Sequence, residues 1–295
     1  MKKSVLFALL TIVTLFVVNQ QVSSKKVVFP AGYESKIDEV YTTVNGWSGR
    51  VDIYYNPQSQ TPTPIVIQIH GGGWNHGTKE SQTGFGTYFK AGLAVANVEY
   101  RLVDKAIAPG AIEDIRCALK FIKLHANELN IDPRKVILAG TSAGAHLALM
   151  GGLLENDNRF DLNCDGKVDM KVAAIISMYA PSNFNDTSVD IKQFKSLIHW
   201  FGKNVNNPTF INSISPVSYI KKSSPPVFIV HGNADPVVPY SQSKNLHQKL
   251  SDSGVYNEFI TVDGGSHGNF DADKKAEINI ALINFLNKVL VDRKE

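Results

Sequence analysis

Apolar and polar positions alternate with a period of two along Ile37–Val44 and again along Arg50–Tyr55, the pattern of strands that bury one face. Asn45-Gly46 between them is a two-residue turn signal, so the pair predicts a hairpin at the edge of a sheet. The pattern then changes. Short, mostly apolar runs at Ile65–His70, Ala94–Glu99, Val136–Ala139, Val172–Met178, Val227–Val230 and Glu258–Val262 predict strands. Longer stretches between them predict helices at Gln82–Ala91, Pro109–Asn127, Ala143–Leu154, Ser241–Ser251 and Ala272–Val291. In the second of these, Ile112, Ile115, Leu119 and Ile122 fall on one helical face, and proline stands at its start. Pro181–Ser224 reads as a longer irregular or helical insertion. Alternation of strand and helix predicts an α/β fold, a mainly parallel central sheet with helices on both faces. No linker and no repeat interrupts it, so residues 25–295 are expected to form one domain.

The N-terminus stands outside this pattern. Lys2 and Lys3 precede an apolar run, Val5–Val18, broken only by Thr11 and Thr14, and a polar, small-residue exit follows to Ser24. The run is shorter than the roughly 20 residues of a membrane span. Residues 1–24 are therefore expected to be a cleaved signal peptide and the protein to be exported, periplasmic or extracellular, without a stable membrane anchor. With 295 residues, 43% of them hydrophobic, the chain can bury a full core. Losing Lys2 and Lys3 lowers the formal charge by two, from +3 to +1. Such a balance offers no electrostatic footprint for nucleic acid and turns attention to small or neutral substrates. The two cysteines, Cys117 and Cys164, could pair in an oxidising compartment, but spacing alone does not place them within reach.

The chemistry concentrates in four short motifs. Gly140-Thr141-Ser142-Ala143-Gly144 lies between an apolar strand and an alanine-rich helix, where a sharp strand-to-helix turn exposes a serine hydroxyl. A hydroxyl needs a base, and His267, in the loop Gly264–Gly268 before the last helix, lies at the same carboxyl edge of the sheet. His146 belongs to the helix after Ser142 and suits packing; His70 and His231 close strands. Asp235, just after the strand Val227–Val230, is the expected carboxylate partner of the base, with Asp263 as its rival. His70-Gly71-Gly72-Gly73-Trp74 offers backbone N–H groups to an oxyanion. Gly72 and Gly73, with Ala143, are the expected donors. The loop lacks the Gly-Lys-Ser/Thr ending of a phosphate cradle.

HGGGW (70–74), EYRL (99–102), DPRKVILAGTSAGAHLA (132–148), HGNADPVVP (231–239) and GGSHGNF (264–270) together resemble the α/β-hydrolase fold serine esterases. The similarity is to the hormone-sensitive-lipase-like group and the acetylxylan and feruloyl esterase-like (BD-FAE-like) branch, over roughly Gly46 to Leu290. It implies a carboxylic ester hydrolase with Ser142, Asp235 and His267 as its triad and the 70–74 loop as its oxyanion loop. It implies no catalytic cofactor, and an acylated polysaccharide or oligosaccharide as substrate. Thr141 stands where many lipase-like members carry an acid, which favours the carbohydrate-esterase branch. An amide hydrolase on the same fold, peptidase-like or arylformamidase-like, is the alternative, and a non-catalytic binding protein is the third reading.

A second motif is separate. Asp161, Asn163, Asp165 and Asp169 occupy positions 1, 3, 5 and 9 of a calcium-loop spacing, with Gly166 at 6 and the Lys167 carbonyl at 7. Val172 stands where the bidentate acid belongs. A structural Ca²⁺ site and an ordinary polar loop both remain open at this point.

Overall fold

The computed structural model describes residues 26–186 and 194–291, so the expected signal peptide at 1–24 lies outside the described residues. Eight strands form one sheet: β1 (Glu34–Val44), β2 (Trp47–Tyr55), β3 (Thr63–Ile69), β4 (Ala94–Val98), β5 (Ile131–Thr141), β6 (Ala174–Met178), β7 (Val227–Gly232) and β8 (Asn257–Val262). Their order is β1-β2-β4-β3-β5-β6-β7-β8. β2 pairs antiparallel with both β1 and β4, and every later pairing is parallel. The hairpin forms where Asn45-Gly46 predicts it, because both residues take positive φ, 49° and 81°.

The inner parallel strands β3 to β7 are buried on both faces, and alternate residues feed two cores. Ile65, Ile67, Val136 and Leu138 pack into one with residues of α2 (Gly110–Leu124), α3 (Ala143–Leu153) and α6 (Ser241–Asp252). Val66, Ile137, Ala139 and Phe228 pack into the other with Phe89 of α1 (Gly86–Lys90) and Ile278, Leu282 and Phe285 of α7 (Ala272–Leu290). This two-sided burial explains why their sequences read as apolar runs and not as alternation.

Two elements differ from expectation. The helix expected at Gln82–Ala91 is only the five-residue α1: a single 3-10 turn, Lys79–Ser81, precedes it, and the chain from 82 to 84 is irregular. Lys79 Nζ donates to both oxygens of Asp52 at 2.9 Å. β5 starts five residues early, at Ile131, where Thr63 already pairs with it. The insertion, expected to be irregular or helical, holds among its described residues the short helices α4 (Lys195–Phe201) and α5 (Pro208–Ser213), the latter capped by the Asn207 side chain accepting from Phe210 N–H.

Candidate active site

β5 ends in a sharp turn into α3. Ser142 sits at φ 53°, ψ −121°, a strained setting for a residue with a side chain. A Cβ on Gly140 would lie 2.3 Å from the Gly144 carbonyl atoms, and one on Gly144 would lie 2.3 Å from the Ile69 carbonyl oxygen. Both glycines are thus required by close approach. Ser142 N–H donates to the Met178 carbonyl (2.9 Å) and its own carbonyl accepts from His146 N–H (3.0 Å), so both backbone groups are held while the hydroxyl faces an open cavity.

That cavity, about 420 Å³, brings together Ser142, His267, Gly71, Gly72 and Gly73. The His267 ring Nδ1 lies 2.7 Å from Asp235 Oδ2; since a carboxylate only accepts, Nδ1 carries the proton and Nε2 is left as the basic nitrogen. Asp235 has no exposed side-chain surface, and burial alone would raise its pKa. Hydrogen bonds outweigh burial: His231 and His267 donate to Oδ2, and the Val237 and Val238 N–H groups donate to Oδ1 at 2.7 and 3.0 Å. Their sum holds the carboxyl far below its usual range. Asp263 instead accepts from Asn233 Nδ2 (2.8 Å).

Gly72 and Gly73 turn at φ 120° and 56°, as a loop folding around a small oxygen requires. Ala143 is the first residue of α3, whose N-terminal N–H groups lack helical acceptors. Behind this loop lies an aromatic stack: Trp74 lies flat on Trp200, centroids 4.3 Å apart, and both meet His146 edge-on. His146 is fully buried, which pushes its pKa down to about 4, and its Nε2 contacts the Ile214 carbonyl at 2.8 Å. His70 stacks on Tyr100.

Three features escape a reading by motif. Tyr179, at φ 46° off the end of β6, sets its ring edge against His267 at 4.6 Å. α4 closes one wall of the cavity with Ser196 and Leu197, and a Cβ on Gly73 would come within 3.2 Å of Ser196 Cβ. His231 is the second imidazole on Asp235, Nε2 to Oδ2 at 3.1 Å. Its spacing of four from Asp235 across Gly232 was the available signal.

Of the two readings left open for the 161–169 loop, the structure shows the side chains of the calcium spacing turned to partners within the protein. Asp161 is engaged by Arg116, Nε to Oδ1 at 2.7 Å and Nη2 to Oδ2 at 3.0 Å. Asn163 donates to Glu113 (2.8 Å), Asp169 accepts from Asn156 (3.1 Å), and Asp165 and Lys167 are exposed. Among the described residues no group of three or more His, Cys, Asp or Glu side chains is placed to hold a metal ion. The residues do not fit the ion because a buried guanidinium already supplies the positive charge. Cys117 of α2 and Cys164 of this loop form a disulfide, with Cα atoms 5.2 Å apart.

The BD-FAE family model matches residues 51–250, and a TAP-like protein model matches residues 208–295. Esterase LipQ of Mycobacterium tuberculosis is 25% identical over 246 residues, covering 81% of this chain and 58% of the relative. Esterase LipC of the same organism is 25% identical over 242 residues, covering 77% and 59%. The chain therefore spans under three-fifths of the length of these curated relatives. Among solved structures, a truncated form of carbohydrate esterase from gut microbiota superposes with a TM-score of 0.76 at 26% identity, covering 89% of this chain and 99% of that one. Among the described residues no helix is long and apolar enough to cross a membrane.

Proposed function

The chain belongs to the BD-FAE family, and from that premise we propose that it is a serine carboxylic ester hydrolase acting through Ser142, His267 and Asp235. The observation that carries this reading is the 2.7 Å contact of His267 Nδ1 with a fully buried Asp235, on an imidazole that lines the same cavity as a serine at φ 53°. Asp235 fixes the tautomer, so His267 Nε2 removes the Ser142 proton as Oγ attacks the ester carbonyl carbon. The carbonyl oxygen takes the electron pair and is held by N–H groups of Gly72, Gly73 and Ala143, an arrangement worth about 10²- to 10³-fold per donor. Collapse breaks the bond to the alcohol, which leaves with the proton from His267. Water, activated by the same nitrogen, then releases the acid and restores Ser142. No step calls for a cofactor.

The substrate class is an acylated polysaccharide or oligosaccharide, carrying acetyl or feruloyl groups, met outside the cytoplasm after removal of residues 1–24. The likeness to a carbohydrate esterase supports this, as does the near-neutral charge of the expected mature chain. A hydrolysis panel tests it: p-nitrophenyl acetate to decanoate, methyl ferulate, acetylated xylan and an aminoacyl nitroanilide. Acetylated xylan or methyl ferulate should be turned over with the highest kcat/KM; preference for the nitroanilide would replace the reading with an amidase. Detection of the mature N-terminus near residue 25 in the exported fraction tests localisation, and an intact residue 1 in the cytoplasm would overturn it.

A further inference from the structure

The side chain of His231, the penultimate residue of β7, is without solvent contact and takes no part in the steps above. Its Nε2 stands 3.1 Å from Asp235 Oδ2 and 3.0 Å from the Val238 carbonyl oxygen, two atoms that can only accept. The proton therefore sits on Nε2. Nδ1 lies 2.7 Å from Ser243 Oγ on α6, a hydroxyl able to donate to it, so the ring is pinned at both nitrogens by different elements. Oδ2 is the same oxygen that accepts from His267, whereas Oδ1 is filled by the Val237 and Val238 N–H groups.

We propose that His231 is a positioning residue that shares Oδ2 with His267, fixing the aim of Asp235 and setting the pH at which the Asp235–His267 pair takes up its proton. The inference rests on the triad reading. A hydrogen bond donated to Oδ2 stabilises the anion and draws charge from the oxygen that would otherwise stabilise an imidazolium. Removing it makes protonation of the pair more favourable, whichever member carries the proton, so the acid limb of kcat/KM moves to higher pH. The other groups around the two rings are the Tyr179 ring, 4.6 Å from His267 and 6.5 Å from His231, the Tyr240 ring, 5.8 Å from His231, and Ser243. Among these Asp235 is the one carboxylate; Asp263, on the loop after β8, is bonded to Asn233.

Two variants of similar polarity separate the roles. In His231→Gln the amide nitrogen reaches the place of Nε2 and keeps the bond to Asp235. In His231→Asn it reaches only the place of Nδ1, beside Ser243, and the bond to Asp235 is lost. The pH dependence of kcat/KM with p-nitrophenyl acetate should show the acid limb of His231→Asn raised by about one pH unit, the scale of one charge-assisted hydrogen bond. His231→Gln should stay near wild type. Equal limbs in all three, or equal displacement in both variants, would overturn the proposal, since a purely structural role would alter melting temperature or KM without moving the limb. If neither variant folds, nitrogen-15 shifts of the wild-type imidazoles decide: a His231 proton on Nδ1 alone sinks the idea. Ser142→Ala, assayed alongside, keeps failure of the triad distinct, because the His231 tautomer is read without turnover.

Discussion

Asp235 and Asp161 are both buried carboxylates in loops at opposite ends of the sheet, and the molecule treats them in opposite ways. Asp235 is surrounded by N–H dipoles and imidazoles, with no permanent cation against it. Its negative charge is therefore stabilised yet still available to a histidine that gains and loses a proton. Asp161 faces the guanidinium of Arg116, a charge that never leaves. That guanidinium also donates to the carbonyls of Gly151, Glu155 and Asp157, closing the C-terminal end of α3. A carboxylate serves chemistry when its charge is only partly answered; fully answered, it serves the fold.

The largest effects should fall on the first of these. Ser142→Ala and Asp235→Asn should each lower kcat toward p-nitrophenyl acetate by about 10⁴-fold, with little change in the melting curve for Ser142→Ala. Near-normal turnover by either would dissolve the contrast. At the other loop, Arg116→Met should leave turnover per folded molecule intact but cost about 3 kcal/mol in urea unfolding, because Asp161 keeps only the longer Lys120 contact at 4.0 Å and the Gly151, Glu155 and Asp157 carbonyls lose their donor. A loss of activity without loss of stability would mean the two ends are not separate.

α3 connects the ends, and His146 within it gives a pH signature. Its folded pKa is lowered to about 4 by burial, so between about pH 6.5 and 4 the unfolded chain takes a proton that the native state does not. Stability from this group is present above 6.5 and lost as pH falls through that window, by about 3 kcal/mol in all. His146→Gln should flatten the slope in chemical unfolding at a series of pH values; an unchanged slope would remove His146 as its source.

Smaller still is the oxyanion loop, where Gly72→Ala should reduce kcat by about 10²-fold. A Cβ there would come within 1.9 Å of the His76 carbonyl oxygen, so the loop must shift. Gly73→Ala, whose Cβ would meet side-chain atoms of Ser196 and Asn75 at 3.2 Å or more and no backbone, should cost less. The smallest expected effect is none: metal-stripped protein should melt at the same temperature in chelator and in millimolar Ca²⁺. A clear rise would show Asp161 leaving Arg116 for the ion.

The legibility of the sequence follows the same division. Strand period, the Asn45-Gly46 turn and the glycine-flanked Ser142 are local signals, and the elements they predict are present within a few residues. Asp235 and His267 were reachable because topology places strand ends at one edge. Arg116 was not, since its partner is 45 positions away and nothing in a helix interior marks a guanidinium that will replace a cation. α4 was hidden for a related reason: Lys195–Phe201 has no strong cap, and its position against Gly73 depends on tertiary contact alone. The calcium spacing was legible too, but oxygen positions along the chain alone do not show that Arg116 holds Asp161 and Asn156 holds Asp169.

The missing side chain of Gly144 has an implication for redesign. With the Ile69 and His70 carbonyl oxygens pressed where its Cβ would be, the strand that launches the oxyanion loop and the helix that follows the nucleophile are machined to one joint. Donor and nucleophile cannot be adjusted one at a time. An engineer seeking a different acyl or alcohol group is better served by the α4 wall, where Phe194, Ser196 and Leu197 border the cavity from outside that joint and can be rewritten without loosening it.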